Sequence, residues 1–357
     1  MKNHHTTADT VLESERQGIF NGGWVSVGLA SAVEKGSALP IHVAGIPLLI
    51  TRSRDGSLHV LHNVCRHRGL RLVSKPCQGL REITCPYHAW RYGISGDFRG
   101  APYYSGSPGI GVPEDLSGKL DLLGVRHAIW FDVIFVNLSG SATPFEEWIA
   151  PLAELWRCFD PGRFHLLSTT EYDLAANWKL VCENFLDGYH VPFVHGQAGG
   201  PETAVTFENL SLSRDIFGFV LPRGEADKPK PERLPRIELP DDIQHAQFFF
   251  CLFPNTLLAI SAGWFQVISM QPMAADRSSE FLGLYLMGEI AEDGRKDAAE
   301  FSALMNRINE QDAAILPDLQ AGRQSPAAEH GSMVAYWDKT IERFQARARQ
   351  DPDASET

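Results

Sequence analysis

The chain has 357 residues, 44% of them hydrophobic, with 44 Asp and Glu against 32 Lys and Arg and a formal charge of −12. That length exceeds one ordinary core, so two domains are expected, and the acidic balance argues against nucleic acid or an anionic membrane as the main partner. No apolar run reaches transmembrane length and the polar start MKNHHTTADT has no signal-peptide core, so a cytoplasmic protein is expected.

Residues 1–38 read as an N-terminal arm, with a helix over Thr10–Phe20 and a strand-like stretch from Trp24 to Gly28. From Pro40 to about Ser139 the texture changes to short alternating strands. Asp55-Gly56 marks a hairpin turn between IHVAGIPLLITRSRDG and SLHVLHNV. These features predict a small antiparallel β domain over residues 39–155. It carries Cys65-x-His67 and Cys85-x-x-His88, with seventeen residues between His67 and Cys85. Six cysteines are too few for a disulfide scaffold in so long a chain, and metal or catalytic roles fit them better. Two thiolates and two imidazoles suit a structural zinc. They also suit a [2Fe–2S] cluster with both cysteines on one iron and both histidines on the other. Spacing favours the cluster, because each loop supplies one Cys and one His, whereas zinc fingers usually keep like with like. Cys77 reads as a loop thiol, since Leu80 at its +3 position has no ligand atom.

A link from Pro144 to Phe164 leads to a second domain over 156–350. Its main feature is NWKLVCENFLDGYHVPFVH, Asn177 to His195. Helix formers run from Trp178 to about Tyr189, which would set Glu183, Asp187 and His190 on one face at i, i+4, i+7. Pro192 is expected to end that helix and to hold Val191 extended. An unbroken helix would leave His190 and His195 about 140° apart, whereas a kink lets them converge. With one carboxylate from elsewhere they would form the 2-His-1-carboxylate triad of a non-heme Fe(II) oxygenase. The plainer alternative is two satisfied core histidines. Residues 196–245 are rich in Gly, Pro and charge and read as loop. Strands follow over His245–Gln271 and Glu280–Ile290, then a helix over Lys296–Gln320 and a tail over 351–357. On that helix Phe301, Leu304, Ile308, Ile315 and Leu319 form an apolar stripe, and Asp312 falls on it. A charge there is costly unless it binds a metal or pairs with a buried Arg. Glu310 points away, and Asp318 follows Pro317 on a disturbed turn. The aromatics Phe193, Phe207, Phe249, Phe253, Trp264 and Phe265 read mostly as core rather than as a pocket.

VCRHRG (Val64–Gly69) and CPYHAW (Cys85–Trp90) resemble the Rieske domain of ring-hydroxylating oxygenase α subunits. NWK (Asn177–Lys179) and ENFLDGYHVPFVH (Glu183–His195) resemble the mononuclear-iron motif of the same family. The resemblance covers about residues 15–325. It is nearest to the α-only branch of carnitine, betaine and choline-type monooxygenases and related demethylases. It implies an α+β fold: a small antiparallel Rieske domain, then a helix-grip (START-like) catalytic domain with an antiparallel sheet and a long C-terminal helix. It implies a [2Fe–2S] cluster on Cys65, His67, Cys85 and His88, and Fe(II) on His190, His195 and Asp312, the last just ahead of Gln320-x-Gly322. Asp187 is implied to link His190 to the partner subunit's His88 in a homotrimer. Asn184 is implied to sit at the pocket, with Cys182 and Glu183 as lesser candidates. The implied activity is that of a terminal oxygenase that hydroxylates or oxidatively demethylates a small organic substrate with O2. Within the class the alternative is cis-dihydroxylation in the breakdown of aromatic compounds. Outside it stand a Rieske electron carrier joined to a binding domain and a non-catalytic ligand binder. No GxGxxG follows a strand, so NAD(P)H is expected to act through a separate flavin- or ferredoxin-type reductase.

Overall fold

The structure is a computed structural model that describes residues 9–111, 116, 118–196, 207–221, 234–241 and 243–350. The chain divides into two compact units, one of residues 16–142 and one of residues 143–357 together with 1–15. A short helix, α1 (Asp9–Glu15), gives way to a π-helical turn over Arg16–Phe20 where one continuous helix was expected.

The unit over 16–142 is built from short strands: β1 (Val25–Leu29), β2 (Ser37–Val43), β3 (Ile46–Arg52), β4 (Leu58–His62), β5 (Ile83–Thr84), β6 (Arg91–Tyr92), β7 (Phe98–Pro102), β8 (Ile110–Gly111), β9 (Arg126–Trp130) and β10 (Val133–Asn137). Among the described residues they form three antiparallel sheets, ordered β1-β10-β9, β2-β3-β4 and β5-β6-β7-β8. The run IHVAGIPLLIT, expected as one strand, folds back at Ala44-Gly45, where φ is 51° and 82°. Two consecutive left-handed residues make the tight turn whose twist matches a hairpin, and Ala in the first place hides it from a search for Asn-Gly. Asp55-Gly56 turns as expected: Ser53 N donates to Ser57 O at 2.8 Å and Ser57 N to Asp55 Oδ1 at 3.0 Å. Leu49, Leu61, Leu72, Tyr92 and Phe98 form a core into which Cys65 and Cys85 are packed.

The other unit holds α2 (Phe145–Leu155), β11 (Phe164–Leu174), α3 (Trp178–Leu186), α4 (Val191–Val194), β12 (Glu208–Ser211), β13 (Ile216–Leu221), β14 (Gln247–Leu252), β15 (Thr256–Ile260), β16 (Trp264–Ala274), β17 (Arg277–Met287), α5 (Arg295–Arg323) and α6 (Lys339–Ala348). Seven strands make one antiparallel sheet in the order β11-β17-β16-β15-β14-β13-β12. Helix α5 packs on β11 and α3, while α3 packs on β14, β16 and α6, so the sheet grips a helical layer as expected of a helix-grip domain. Of the loop expected over 196–245, residues 197–206, 222–233 and 242 lie outside the described residues, as do 1–8 and the tail 351–357. The described part is not all loop: β12 and β13 extend the sheet edge, carried by the apolar run IFGFVL.

The NWK triplet starts α3. Asn177 caps it by accepting from Lys179 N at 3.0 Å, and its Nδ2 donates to Ala275 O at 2.7 Å. Trp178 Nε1 donates to Glu15 Oε2 at 2.8 Å, and Lys179 pairs with Glu15 Oε1. Both charges are buried. Removing one partner of a buried pair strands the other, so Lys179→Ala is expected to cost about 3–5 kcal/mol, read as a lowered urea midpoint.

Helix α5 carries its stripe with one change. Phe301 is buried, but Leu319 is 39% exposed, and Leu316 and Gln320 take the inner face. The buried line steps by four from Asp312 because a 3.6-residue turn drifts against a fixed repeat. Pro317 lies inside α5 without ending it. Among the described residues no helix is long and apolar enough to cross a membrane.

Candidate metal centres

The two Cys/His loops share one backbone design. Cys65 N donates to Leu70 O at 2.8 Å and accepts, through its carbonyl, from Gly69 N at 3.0 Å. Cys85 N donates to Trp90 O at 2.8 Å, and Ala89 N donates to Cys85 O at 3.0 Å. The fifth residue of each loop is left-handed, Gly69 at φ 73° and Ala89 at φ 53°; a non-glycine residue held there stores local strain. The thiols of Cys65 and Cys85 are buried, while His67 and His88 are exposed with their Nδ1 atoms 3.1 Å apart. That separation suits two ligands of one tetrahedral metal with bonds of about 2.0–2.1 Å, for which the ligand–ligand edge is about 3.3 Å. The quartet as a whole is too spread for one ion, since among the described residues only a different trio brings its ligand atoms within 4.8 Å of one another. Paired inner thiols and paired outer imidazoles fit a [2Fe–2S] cluster better than zinc.

Sequence reasoning missed the supports of these loops. Tyr92 OH accepts from Arg66 N at 3.0 Å and lies 3.3 Å from Cys65 Sγ. Asn63, fully buried, accepts from Leu72 N and Val73 N and donates to Val73 O at 2.7 Å. Burial pushes the Cys85 thiol and the Tyr92 phenol up. Cys77 is a loop thiol as expected, bridging to Ala38 through backbone hydrogen bonds.

In the other unit the helix-break differs from expectation. Helix α3 ends at Leu186, not near Tyr189; Asp187 is its C-cap in extended backbone, and Gly188 follows. A Cβ on Gly188 would lie 2.6 Å from Phe207 Cε2, so a side chain there would force the buried Phe207 ring to shift. Pro192 breaks nothing: it occupies the first turn of α4, where its fixed φ and missing N–H are tolerated, and Val191 is helical. Glu183, Asp187 and His190 therefore do not share a helix face. Glu183 turns inward, 3.5 Å from Arg323 Nη2, and accepts from Gln345 Nε2 at 3.1 Å. Cys182 is wholly buried, its thiol 3.9 Å from Pro254 O, and is packing.

His190 and His195 flank the four residues of α4, and their Nε2 atoms are 3.2 Å apart. Asp312 Oδ1, on α5, lies 3.2 Å from His190 Nε2 and 3.3 Å from His195 Nε2. Octahedral coordination with bonds of about 2.0–2.1 Å has ligand–ligand edges of about 3 Å, so this triangle is the size of one octahedral face. Asp312 Oδ1 is buried without a hydrogen-bond partner, an orphan that a cation would satisfy. Burial works against charge here, yet Asp187 and Asp312 lift the His190 imidazole to about 9 and Asp312 raises His195. The two imidazoles in turn overcome burial and draw the Asp312 carboxyl down to about 2. Two neutral imidazoles and one carboxylate can hold a ferrous ion and leave coordination positions open for O2 chemistry.

Two side chains lie against the far ring nitrogens of the imidazoles. Asp187 Oδ2 is 3.5 Å from His190 Nδ1, and its other oxygen accepts from Tyr189 N at 2.7 Å. Gln311 Oε1 lies 3.0 Å from His195 Nδ1. With Nδ1–H donating to Gln311, the Nε2 lone pair faces Asp312 and His190. Gln311→Ala is expected to weaken iron binding roughly 10–100-fold, measured by competition with a chelator.

Beside Asp312 a narrow cavity is lined by Asn184, Phe185, Glu280, Asn309 and apolar side chains. None of the six aromatics named from the sequence lines it. Phe207, Phe253, Trp264 and Phe265 are buried core, Phe249 packs on Phe185 at 5.9 Å, and Phe193 is 75% exposed. Glu280 is 3% exposed; burial pushes its carboxyl up to about 7, opposed by Asn309 Nδ2 donating at 2.7 Å and aided by the charge of Asp312. A signal for it existed. Glu280 has the strand parity of Leu282, Leu284 and Leu286, all buried, so it had to point inward.

Comparison with known proteins agrees with both centres. Residues 23–113 match the Rieske [2Fe–2S] domain model, and residues 161–351 match the model for the ring hydroxylating alpha subunit (catalytic domain). The chloroplastic choline monooxygenase of Amaranthus tricolor is 25% identical over 358 residues, covering 96% of this chain and 76% of that protein. The glycine betaine monooxygenase oxygenase subunit of Chromohalobacter salexigens is 30% identical over 187 residues, 52% of this chain and 40% of that protein. Among solved structures, the quaternary ammonium Rieske monooxygenase CntA superposes with a TM-score of 0.78 at 21% identity, over 98% of this chain and 94% of that one. Naphthalene 1,2-dioxygenase from Rhodococcus sp. gives 0.72 at 20% identity, over 91% and 82%. With the catalytic-domain match spanning more than half of its length and a Rieske domain ahead of it, this chain belongs to the ring-hydroxylating oxygenase α-subunit family and is an oxidoreductase of the Rieske, non-heme-iron type.

Proposed function

We propose that the chain is the terminal oxygenase component of a monooxygenase that hydroxylates or oxidatively demethylates a small organic substrate with O2. The observation that carries this is the buried triangle of His190, His195 and Asp312 opening on a narrow cavity, in a chain that also holds the Cys65, His67, Cys85, His88 quartet. Those seven residues are the proposed iron ligands, within a Rieske domain over 39–155 and a catalytic domain over 156–350. Asn184 is proposed as a pocket residue and Asp187 as the link from His190 to the partner subunit's His88 in a homotrimer. Electrons come from a separate transfer protein, here proposed as a flavin- or ferredoxin-type reductase fed by NAD(P)H. Relatives matched over nearly the whole chain are monooxygenases by name, which favours monooxygenation over the cis-dihydroxylation of an aromatic ring. Choline and glycine betaine, the substrates those names print, are the first compounds to test. A cytoplasmic location is supported by six cysteines that form no disulfide.

The test couples the reconstituted enzyme to a surrogate reductase and follows NADH and O2 use with product analysis. Substrate-dependent O2 uptake with a hydroxylated or demethylated product is expected. A cis-diol from an aromatic substrate would transfer the assignment to the dioxygenases, and no uptake with any substrate would remove the activity altogether.

A further inference from the structure

One buried carboxyl in the cavity beside Asp312 has no cationic partner among the described residues. Glu280 is 3% exposed, and its one hydrogen bond among side chains comes from Asn309 Nδ2 at 2.7 Å. No cationic side chain among the described residues lies within ion-pair distance of it or figures among the groups that act on it. Its charged neighbour is another carboxylate, Asp312, already engaged by His190 and His195. An unpaired buried carboxylate is costly, and folds ordinarily pair it or remove it. Here the sequence places it on the inner face of β17, and α5 supplies Asn309 to hold it in place. Apart from Asn184 and Asp312 the rest of the wall is apolar, with Leu174, Val181, Phe185, Leu257, Ile268 and Leu316. Burial lifts this carboxyl to about 7, so a compact cation clothed in alkyl groups would both cover the apolar wall and draw the group into its charged form.

We propose that Glu280 receives the positively charged head of the substrate, an alkylammonium compound whose methyl groups lie against that wall beside the iron ligands. This deepens the oxygenase reading of the same cavity and rests on it. Glu280 is then a specificity-determining residue. It selects for charge, while the apolar wall selects for shape.

The test is an equilibrium one on the holoenzyme, without turnover, so it can fail apart from the reaction. Isothermal titration calorimetry compares tetramethylammonium, choline and glycine betaine with 3,3-dimethylbutan-1-ol, the uncharged carbon isostere of choline. Wild-type protein is expected to bind at least one ammonium compound and to prefer choline to the isostere. Glu280→Gln keeps the side chain's shape and an acceptor for Asn309. It is expected to weaken the ammonium compound about 30-fold or more while leaving the isostere unchanged, since removing one charge of a buried pair is costly. Glu280→Asp, which keeps the charge, is expected to recover part of that loss. Equal binding of choline and its isostere, an unchanged affinity in Glu280→Gln, or equal weakening of both ligands would overturn the proposal, the last by showing a merely structural role. So would the failure of all three ammonium compounds to bind the wild type. Loss of ammonium binding in Glu280→Gln, in an enzyme that shows no O2 uptake, would leave the receptor standing and sink the reaction instead.

Discussion

His195→Ala is expected to lower turnover on the order of 10³-fold while the visible spectrum of the Rieske cluster stays unchanged. His195 Nε2 supplies one of three ligand atoms set 3.2–3.3 Å apart, and no further His, Cys, Asp or Glu among the described residues joins that group. A metal centre contributes several kcal/mol to a reaction it serves, and about 4 kcal/mol corresponds to that factor. Iron analysis is expected to fall by about one ion per chain, from the three that a cluster and a mononuclear site require, with acid-labile sulfide unaltered. The separation of the two read-outs follows from the sequence positions of the ligands, because the Cys/His loops lie between β4 and β6 while the triad flanks α4 and sits on α5. Unchanged turnover would support instead an electron carrier joined to a binding domain. Asp312→Asn is the matching experiment: the amide keeps the shape but loses the charge that the imidazoles hold at low pH values.

How far this site could be read from sequence depends on which contacts are local. The Cys/His loops and the His190–His195 pair are short-range features, visible in spacing and in the family motifs they resemble. Asp312 is distant in sequence, but a charge on an apolar helical stripe marks itself, and the structure places it at the triangle. The geometry of the histidine segment was harder. Pro192 looks like a breaker, whereas the break comes at Asp187-Gly188, where Phe207 also occupies the space that a side chain at 188 would need. That clash is a tertiary fact with no local trace. Gln311, Tyr92, Asn63 and Asn309 were invisible for the same reason: each acts through a partner brought near by folding, across 116 positions in the case of Gln311 and His195. The strands β12 and β13 were lost to composition, since charge and proline on either side masked a short apolar run.

Asp187→Asn is expected to slow turnover roughly 100-fold, the upper range for a residue that acts through a ligating histidine. Two roles are open to this carboxylate, and they predict different kinetics. As an orienting group it holds His190 through the 3.5 Å approach of Oδ2 to Nδ1, while the backbone N–H of Tyr189 fixes Oδ1 at 2.7 Å. If that were its whole function, the variant would lose iron, and saturating iron would restore the rate. The proposed role as the link to the partner subunit's His88 predicts otherwise. The variant keeps its iron and its cluster, yet the reduced cluster is reoxidised about 100-fold more slowly when mixed with O2 and substrate. The C-cap position favours this second role. Asp187 ends α3 in extended backbone, and its side chain remains 29% exposed where the imidazoles of His190 and His195 are 13% and 5% exposed. A carboxylate that only braced a buried imidazole would gain from burial; one that must reach a neighbouring chain has to stay accessible. Rapid-mixing spectroscopy of the fully iron-loaded variant decides the matter, since normal cluster reoxidation there would reduce Asp187 to a brace for His190.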